Sequence, residues 1–182
     1  MKSAARLVCA VLALACLSCR GEGDKEMFTL KSPAFKNGAA IPKAYTCEGR
    51  DASPELHWSG QPAEARSFSL IMDDPDAPMG TWVHWVLYDI PAGYASLPED
   101  LPKQERVLES AKHGVSWGIE TFSRAGYGGP CPPPGKTHRY FFKLYALDVV
   151  LGLPARVTKE ALLKAMDGHI LAQTELIGTY KR

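Results

Sequence analysis

The stretch Arg66-Ser67-Phe68-Ser69-Leu70-Ile71-Met72 alternates along its length, with Phe68, Leu70 and Met72 on one side. A period of two is that of a strand with one face in a core. Residues 82–89 repeat the pattern, with Trp82, His84, Val86 and Tyr88 on one side and Val83, Trp85 and Leu87 on the other. Residues 138–147 are apolar on both sides, Tyr140, Phe142, Leu144 and Ala146 against Phe141, Tyr145 and Leu147. A strand with two apolar faces belongs in the middle of a packed structure. Residues 28–32, 55–59 and 174–181 are shorter strand candidates. Helical signal is sparse. Thr158 can cap a helix running to about Met166, with Ala161, Leu162, Ala165 and Met166 as its apolar side and Gly168 as its stop. Residues 98–111 read either as one or two helical turns or as an insertion loop. The expected fold is mainly β with one or two peripheral helices, without the helix–strand alternation of a doubly wound sheet.

The composition agrees. A chain of 182 residues suits one ordinary domain and is short for two. With 46% hydrophobic and 23% charged residues it is globular, which excludes a disordered tail, a collagen-like repeat or a coiled coil. Lys and Arg number 21 against 20 for Asp and Glu, so no strong field draws nucleic acid or an anionic membrane surface. The 16 Gly and 14 Pro favour a fold rich in turns over a helical bundle.

The amino-terminal residues read as an export signal. Lys2 and Arg6 precede an apolar run from Leu7 to about Ser18, too short to span a bilayer. A small residue stands before both Cys16 and Cys19, as in the lipobox of bacterial lipoproteins, with Cys19 the first choice for lipidation and Cys16 the second. Ordinary secretion is the alternative. The expected organisation is a signal peptide over residues 1–18, a solvated tether over 19–27 and one domain over 28–182, exported to the periplasm or the outer surface of a membrane. The membrane is met only through the lipid. Loss of residues 1–18 leaves Cys19, Cys47 and Cys131. With Cys19 lipidated, the remaining pair is even in number in an oxidising compartment, so a Cys47–Cys131 disulfide is expected, against two free thiols lining a pocket.

The strands carry polar residues at their ends. The first runs into Asp73-Asp74-Pro75-Asp76-Ala77-Pro78, and alternation puts Asp74 on the side of Met72 and Leu70. The second carries His84. The third begins at His138, after the turn-rich stretch Gly126-Tyr127-Gly128-Gly129-Pro130-Cys131-Pro132-Pro133-Pro134-Gly135. Pro stiffens such a loop, and Gly lets backbone N–H groups approach a ligand closely. Spacing alone does not bring one carboxylate and two imidazoles together, and a lone His on a strand is more often a satisfied structural residue.

Asp74-Pro75-Asp76-Ala77-Pro78, Trp82-Val83-His84-Trp85, Gly129-Pro130 and His138-Arg139-Tyr140 resemble the signature blocks of the phosphatidylethanolamine-binding protein family, also called Raf kinase inhibitor protein. Thr46-Cys47-Glu48-Gly49, Ser53-Pro54-Glu55-Leu56-His57-Trp58, Gly129-Pro130-Cys131-Pro132-Pro133 and Leu144-Tyr145-Ala146-Leu147-Asp148 are similar to its bacterial and archaeal branch. The resemblance implies a β-sandwich with a small anion-binding cavity, formed by Asp74, His84 and His138 with Gly129, Pro130 and Tyr140 on its wall. Such a cavity takes a phosphate, a phosphoryl headgroup or a carboxylate, and no cofactor. Imidazole N–H groups would donate to the anion, while Asp74 orients them or holds one as the cation. Because Asp74 itself repels an anion, affinity is expected to fall as pH rises through the imidazole titration. Asp76 and Arg139 read as a buried pair that holds the acidic turn against the third strand, against two solvated side chains. Trp82, Trp85, Tyr140 and Phe142 read as core first and ligand wall second. His57, His113 and His169 show no clustering.

Two other function classes stay open. One Asp and two His suit a divalent metal or acid–base hydrolysis, making a metal-dependent hydrolase one alternative. The chain has no Gly-x-Ser-x-Gly and no His-Glu-x-x-His, and nothing activates Ser53 or Ser116. A thiolate at Cys131 beside His138 is disfavoured by its flanking prolines and the expected disulfide, so the expectation is a non-enzyme. The other alternative is protein inhibition, with which the family is associated. An exported chain meets a serine protease more readily than a cytosolic kinase. The short link Met79-Gly80-Thr81, where eukaryotic relatives are longer, also weakens the kinase reading.

Overall fold

A computed structural model describes residues 26–116 and 124–182. The expected signal peptide, the lipidation candidates Cys16 and Cys19 and the tether up to residue 25 lie outside them. The three alternating stretches form β3 (Ser67–Asp74), β4 (Trp82–Pro91) and β10 (His138–Leu147). With β11 (Ile170–Tyr180), β7 (Ala111–His113) and β6 (Arg106–Val107) they make a six-stranded sheet in the order β11-β10-β3-β4-β7-β6. Its strand pairs are all antiparallel. A second sheet, β1-β2-β5, is built from β1 (Thr29–Lys31), β2 (Leu56–Ser59) and β5 (Ser96–Leu97). A two-stranded ribbon pairs β8 (Val115–Ser116) with β9 (Arg124–Ala125).

The main core lies between the first two sheets. Phe68, Leu70 and Met72 of β3 and Phe142 and Leu144 of β10 meet Leu30, Leu56, Trp58 and Leu97 from the smaller sheet. The opposite face of the large sheet is also buried, as the two-sided apolar pattern of β10 requires. There Ile71, Val86, Tyr88, Tyr145 and Leu147 pack on Leu162 and Met166 of α1 (Lys159–Met166). Each such fully buried aliphatic side chain contributes about 1.5–3 kcal/mol. Thr158 caps α1 by accepting the Ala161 N–H, and Gly168 at φ +77° follows the helix end. Ala161, placed on the apolar side by periodicity, is exposed.

Residues 98–111 form no α-helix. They run as loop into β6 and the start of β7, so among the described residues α1 is accompanied only by a single 3-10 turn at Lys43–Tyr45. No helix among them is long and apolar enough to cross a membrane.

Strict alternation fails in β4. Met72 pairs with Trp85 but Asp73 pairs with Val83, so one step on β3 spans two residues on β4 and His84 is the extra one. A second bulge separates the pairs Phe68–Ile90 and Leu70–Leu87, where Asp89 adopts φ 56°. Asp tolerates this left-handed region better than most residues. Its carboxylate is buried, accepting from Lys112 Nζ at 2.8 Å and the Leu151 N–H at 2.9 Å, which fastens the loop before α1 to the sheet.

Candidate functional site

The bulge decides where His84 points. Alternation would place it on the Val86 and Tyr88 face, under α1. The extra residue turns it instead to the face of Trp85 and Leu87, where its ring lies edge-on to Tyr140 at 5.1 Å. The backbone of the bulge is used as well. The His84 carbonyl accepts the Gly128 N–H at 2.9 Å, and His84 Nδ1–H donates to the Gly128 carbonyl at 2.7 Å. This reciprocal pair puts the ring proton on Nδ1. Burial pushes the His84 pKa down, against the smaller opposing effects of the Gly128 carbonyl and Asp74, which favours the neutral ring.

Asp74 leaves the end of β3 on the same face, as alternation predicts. It is 3% exposed, and both of its oxygens are engaged. Oδ1 accepts the Asp76 N–H at 2.8 Å, closing the acidic turn, and Oδ2 accepts His138 Nδ1–H at 2.7 Å. His138, the first residue of β10, is thereby held with Nε2 as its remaining nitrogen. The Tyr140 hydroxyl is buried beside Asp74 with no hydrogen-bond partner among the described residues. Burial first, and Asp74 second, raise its pKa far above the ordinary tyrosine value, so it remains a protonated donor.

These four side chains line a cavity of about 310 Å³. Its rim is apolar: Ala77, Pro78 and Met79 from the acidic turn, Trp82 from β4, and Cys131, Pro132 and Pro133 from the turn-rich loop. Cys47 and Cys131 are joined as a disulfide with Cα atoms 5.4 Å apart, so the wall is tied to the segment after the 3-10 turn.

Two expectations need correction. Gly129 and Pro130 do not line the cavity but stand one layer behind it. The Gly129 N–H donates to Asp51 Oδ1 at 2.6 Å, and a Cβ there would lie 2.5 Å from the Tyr45 carbonyl oxygen, so glycine is required for packing. The Pro130 carbonyl accepts the Cys47 N–H at 3.1 Å. Asp76 and Arg139 do pair, through two side-chain bonds at 2.8 and 2.9 Å plus the Arg139 N–H, but at the surface. Arg139 is 56% exposed rather than buried. The guanidinium holds the Asp76 carboxyl down at about 2.

The cavity-lining residues of the acidic turn and the proline run were not singled out by the sequence pattern. Their only signal was adjacency to the polar motifs. Trp82 is half-buried on the rim, while Trp85 and Phe142 are core. His57 and His169 lie at the surface on Glu55 and Asp148, and His113, the last residue of β7, is buried. Among the described residues no group of three or more His, Cys, Asp or Glu side chains is placed to share a metal ion.

Residues 31–181 match the sequence description of the family "Phosphatidylethanolamine-binding protein". The chain belongs to the phosphatidylethanolamine-binding protein family. A UPF0098 protein of Aquifex aeolicus is 53% identical over 153 residues, covering 83% of this chain and 86% of that one. A Pyrococcus horikoshii UPF0098 protein is 43% identical over 183 residues, covering 100% and 91%. Among solved structures, the homologue CT736 of Chlamydia trachomatis superposes with TM-score 0.76 at 44% identity, over 85% of this chain and 97% of that one. Escherichia coli YbcL, described as a member of the mammalian family, gives TM-score 0.77 at 31% identity, over 85% and 98%. The mainly β architecture is therefore that of the family, as the motif blocks implied.

Proposed function

We propose that this chain is a binding module for a small anionic group, a phosphoryl headgroup or a carboxylate, carried on an organic body. The observation that supports it is a polar floor, the hydrogen-bonded Asp74–His138 pair with His84 and Tyr140, beneath an apolar rim. The rim suits the organic part and the floor suits the charged end. His84 has its Nδ1 proton on the Gly128 carbonyl, so the imidazole that pairs with Asp74 is that of His138. As imidazolium, His138 donates from Nδ1 to Asp74 and from Nε2 to the ligand. The Arg139 guanidinium is spent on Asp76 at the surface and does not supply this charge. The Cys47–Cys131 disulfide supports export to an oxidising compartment, in keeping with lipidation at Cys19.

Calorimetric titration of the full chain with inorganic phosphate, phosphoethanolamine and acetate at about pH 5.5 tests the reading. Saturable binding that is lost in His138→Ala supports it. No binding of any of the three overturns it. Elemental analysis runs alongside, since stoichiometric metal lost in His84→Ala would move the same residues to the hydrolase reading.

A further inference from the structure

The cavity wall is fastened unevenly. Gly128 is held twice by His84, Gly129 by Asp51, and the Pro130 carbonyl by the Cys47 N–H. Beyond Pro130 the next backbone hydrogen bond joins the Gly135 N–H to the Arg182 carbonyl at 3.3 Å. Between them run Cys131, Pro132, Pro133 and Pro134, and three prolines have no N–H to donate. Among the described residues, the disulfide is therefore the covalent tie between this run and the body of the domain, beside the packing of the buried Pro132. Cys131, Pro132 and Pro133 also form one side of the cavity wall.

The disulfide is open to attack. Cys47 is exposed and Cys131 half-buried. Arg182 Nη1 donates to Cys131 Sγ at 3.6 Å, placing a cation where a departing thiolate would form. We propose that Cys47–Cys131 is a thiol-exchange site, and that its reduction releases the Pro132–Pro134 wall and lowers the cavity's affinity for anions. The second half of this rests on the anion-binding reading; the first half does not.

The reductant is a dithiol, the chemistry of a protein disulfide oxidoreductase. One thiolate of the dithiol attacks Cys47 Sγ, the more accessible sulfur, forming a mixed disulfide while Cys131 leaves as a thiolate facing Arg182. The second thiol of the donor gives up its proton and attacks the mixed disulfide. The donor's own disulfide forms and Cys47 leaves as a thiolate. This chain gains two electrons and the donor loses two, and protons taken up from water complete the two thiols. The freed run is stiff, so it swings as a flap between Pro130 and Gly135, which has φ +114° and open space around it. His84, Gly128 and Gly129 keep their bonds. Affinity then falls by the fraction of time the wall is in place, about two- to tenfold for occupancies from a half down to a tenth.

The test uses the full chain, purified without reductant. Limiting reduced glutathione traps the mixed disulfide, and peptide mapping finds which cysteine carries it. Sulfate titration compares the oxidised chain, the chain reduced with dithiothreitol, and Cys47→Ser/Cys131→Ser. The expected results are an adduct on Cys47, a retained circular dichroism spectrum, faster amide exchange at Cys131 and Gly135, and a two- to tenfold loss of sulfate affinity in both reduced and double-variant chains. An adduct on Cys131, unchanged amide exchange there, unfolding on reduction, or equal sulfate affinity in the two redox states overturns the proposal. Should the oxidised chain bind no sulfate, the anion reading fails by itself, and the exchange site stands or falls on the adduct and the amide exchange.

Discussion

Asp74→Asn probes the proton arrangement on which the proposed anion binding depends. In the native chain the two carboxylate oxygens accept from the Asp76 N–H at 2.8 Å and from His138 Nδ1–H at 2.7 Å, and both side chains are almost wholly buried. An amide in the same place keeps one acceptor and turns the other into a donor. With its oxygen on the Asp76 N–H, its NH2 meets His138 Nδ1, which must then carry the lone pair, so the ring proton moves to Nε2. Replacing a charge-assisted bond by a neutral one costs about 0.5–1.5 kcal/mol of stability. Binding responds differently. With its Nδ1 proton on Asp74, native His138 offers an N–H from Nε2 only when the ring carries both protons, so wherever sulfate binding takes up that second proton its affinity falls by up to about tenfold per pH unit as pH rises. In the variant the neutral ring already donates from Nε2 and the repelling carboxylate is gone. Its affinity should change by less than about threefold between about pH 5 and about pH 8, a range over which sulfate keeps its charge. Calorimetry measures the slope, and ring-nitrogen NMR shows which nitrogen carries the proton. A neutral native His138 with its single ring proton on Nε2, or a variant as steeply pH-dependent as the native chain, would refute the reasoning.

Three further outcomes concern the scaffold. Asp89→Ala strands the buried Lys112 ammonium and leaves the Leu151 N–H unpaired, so urea unfolding should show a loss of about 3–5 kcal/mol, and a loss below about 1 kcal/mol would count against the role assigned to that bulge. His113 and His84 have pKa values lowered by burial, so the folded chain resists protons that the unfolded chain binds below about pH 6.5. Stability should therefore fall with acidification by up to about 1.4 kcal/mol per pH unit for each ring, and His113→Phe should remove one of the two contributions; a flat profile from pH 6.5 to 5 would contradict this. Asp76 acts in a lower window. Its carboxyl is depressed from 3.8 to about 2, so its pair with Arg139 stabilises above the unfolded value and is lost as pH falls towards about 2. Solvent screening keeps the contribution near ~0.5–1 kcal/mol, and Asp76→Asn should cost that much at neutral pH but nothing measurable near pH 2.

The strands were legible in the sequence because the burial that selects them has a period of two and needs no partner to be seen. Phe68, Leu70 and Met72 line one face as the alternation requires, and His138–Leu147 is a strand from its first apolar residue to its last. Thr158 and Gly168 likewise bracketed the helix through local backbone chemistry. The motif blocks carried the family and, with it, the side chains Asp74, His84, His138 and Tyr140. The facing of His84 was not legible, because a bulge is a mismatch between two strands and appears only when β3 is laid against β4. The same holds for the wall. That Cys131, Pro132 and Pro133 face the cavity while Gly129 and Pro130 stand behind it depends on how the loop docks on Asp51, Tyr45 and Cys47, residues distant in sequence. Nor does a charge pattern say whether a pair such as Asp76 and Arg139 is buried, since burial depends on what else packs over it. Local periodicity determined which residues form the sheet, and tertiary docking decided which of them meet in the cavity.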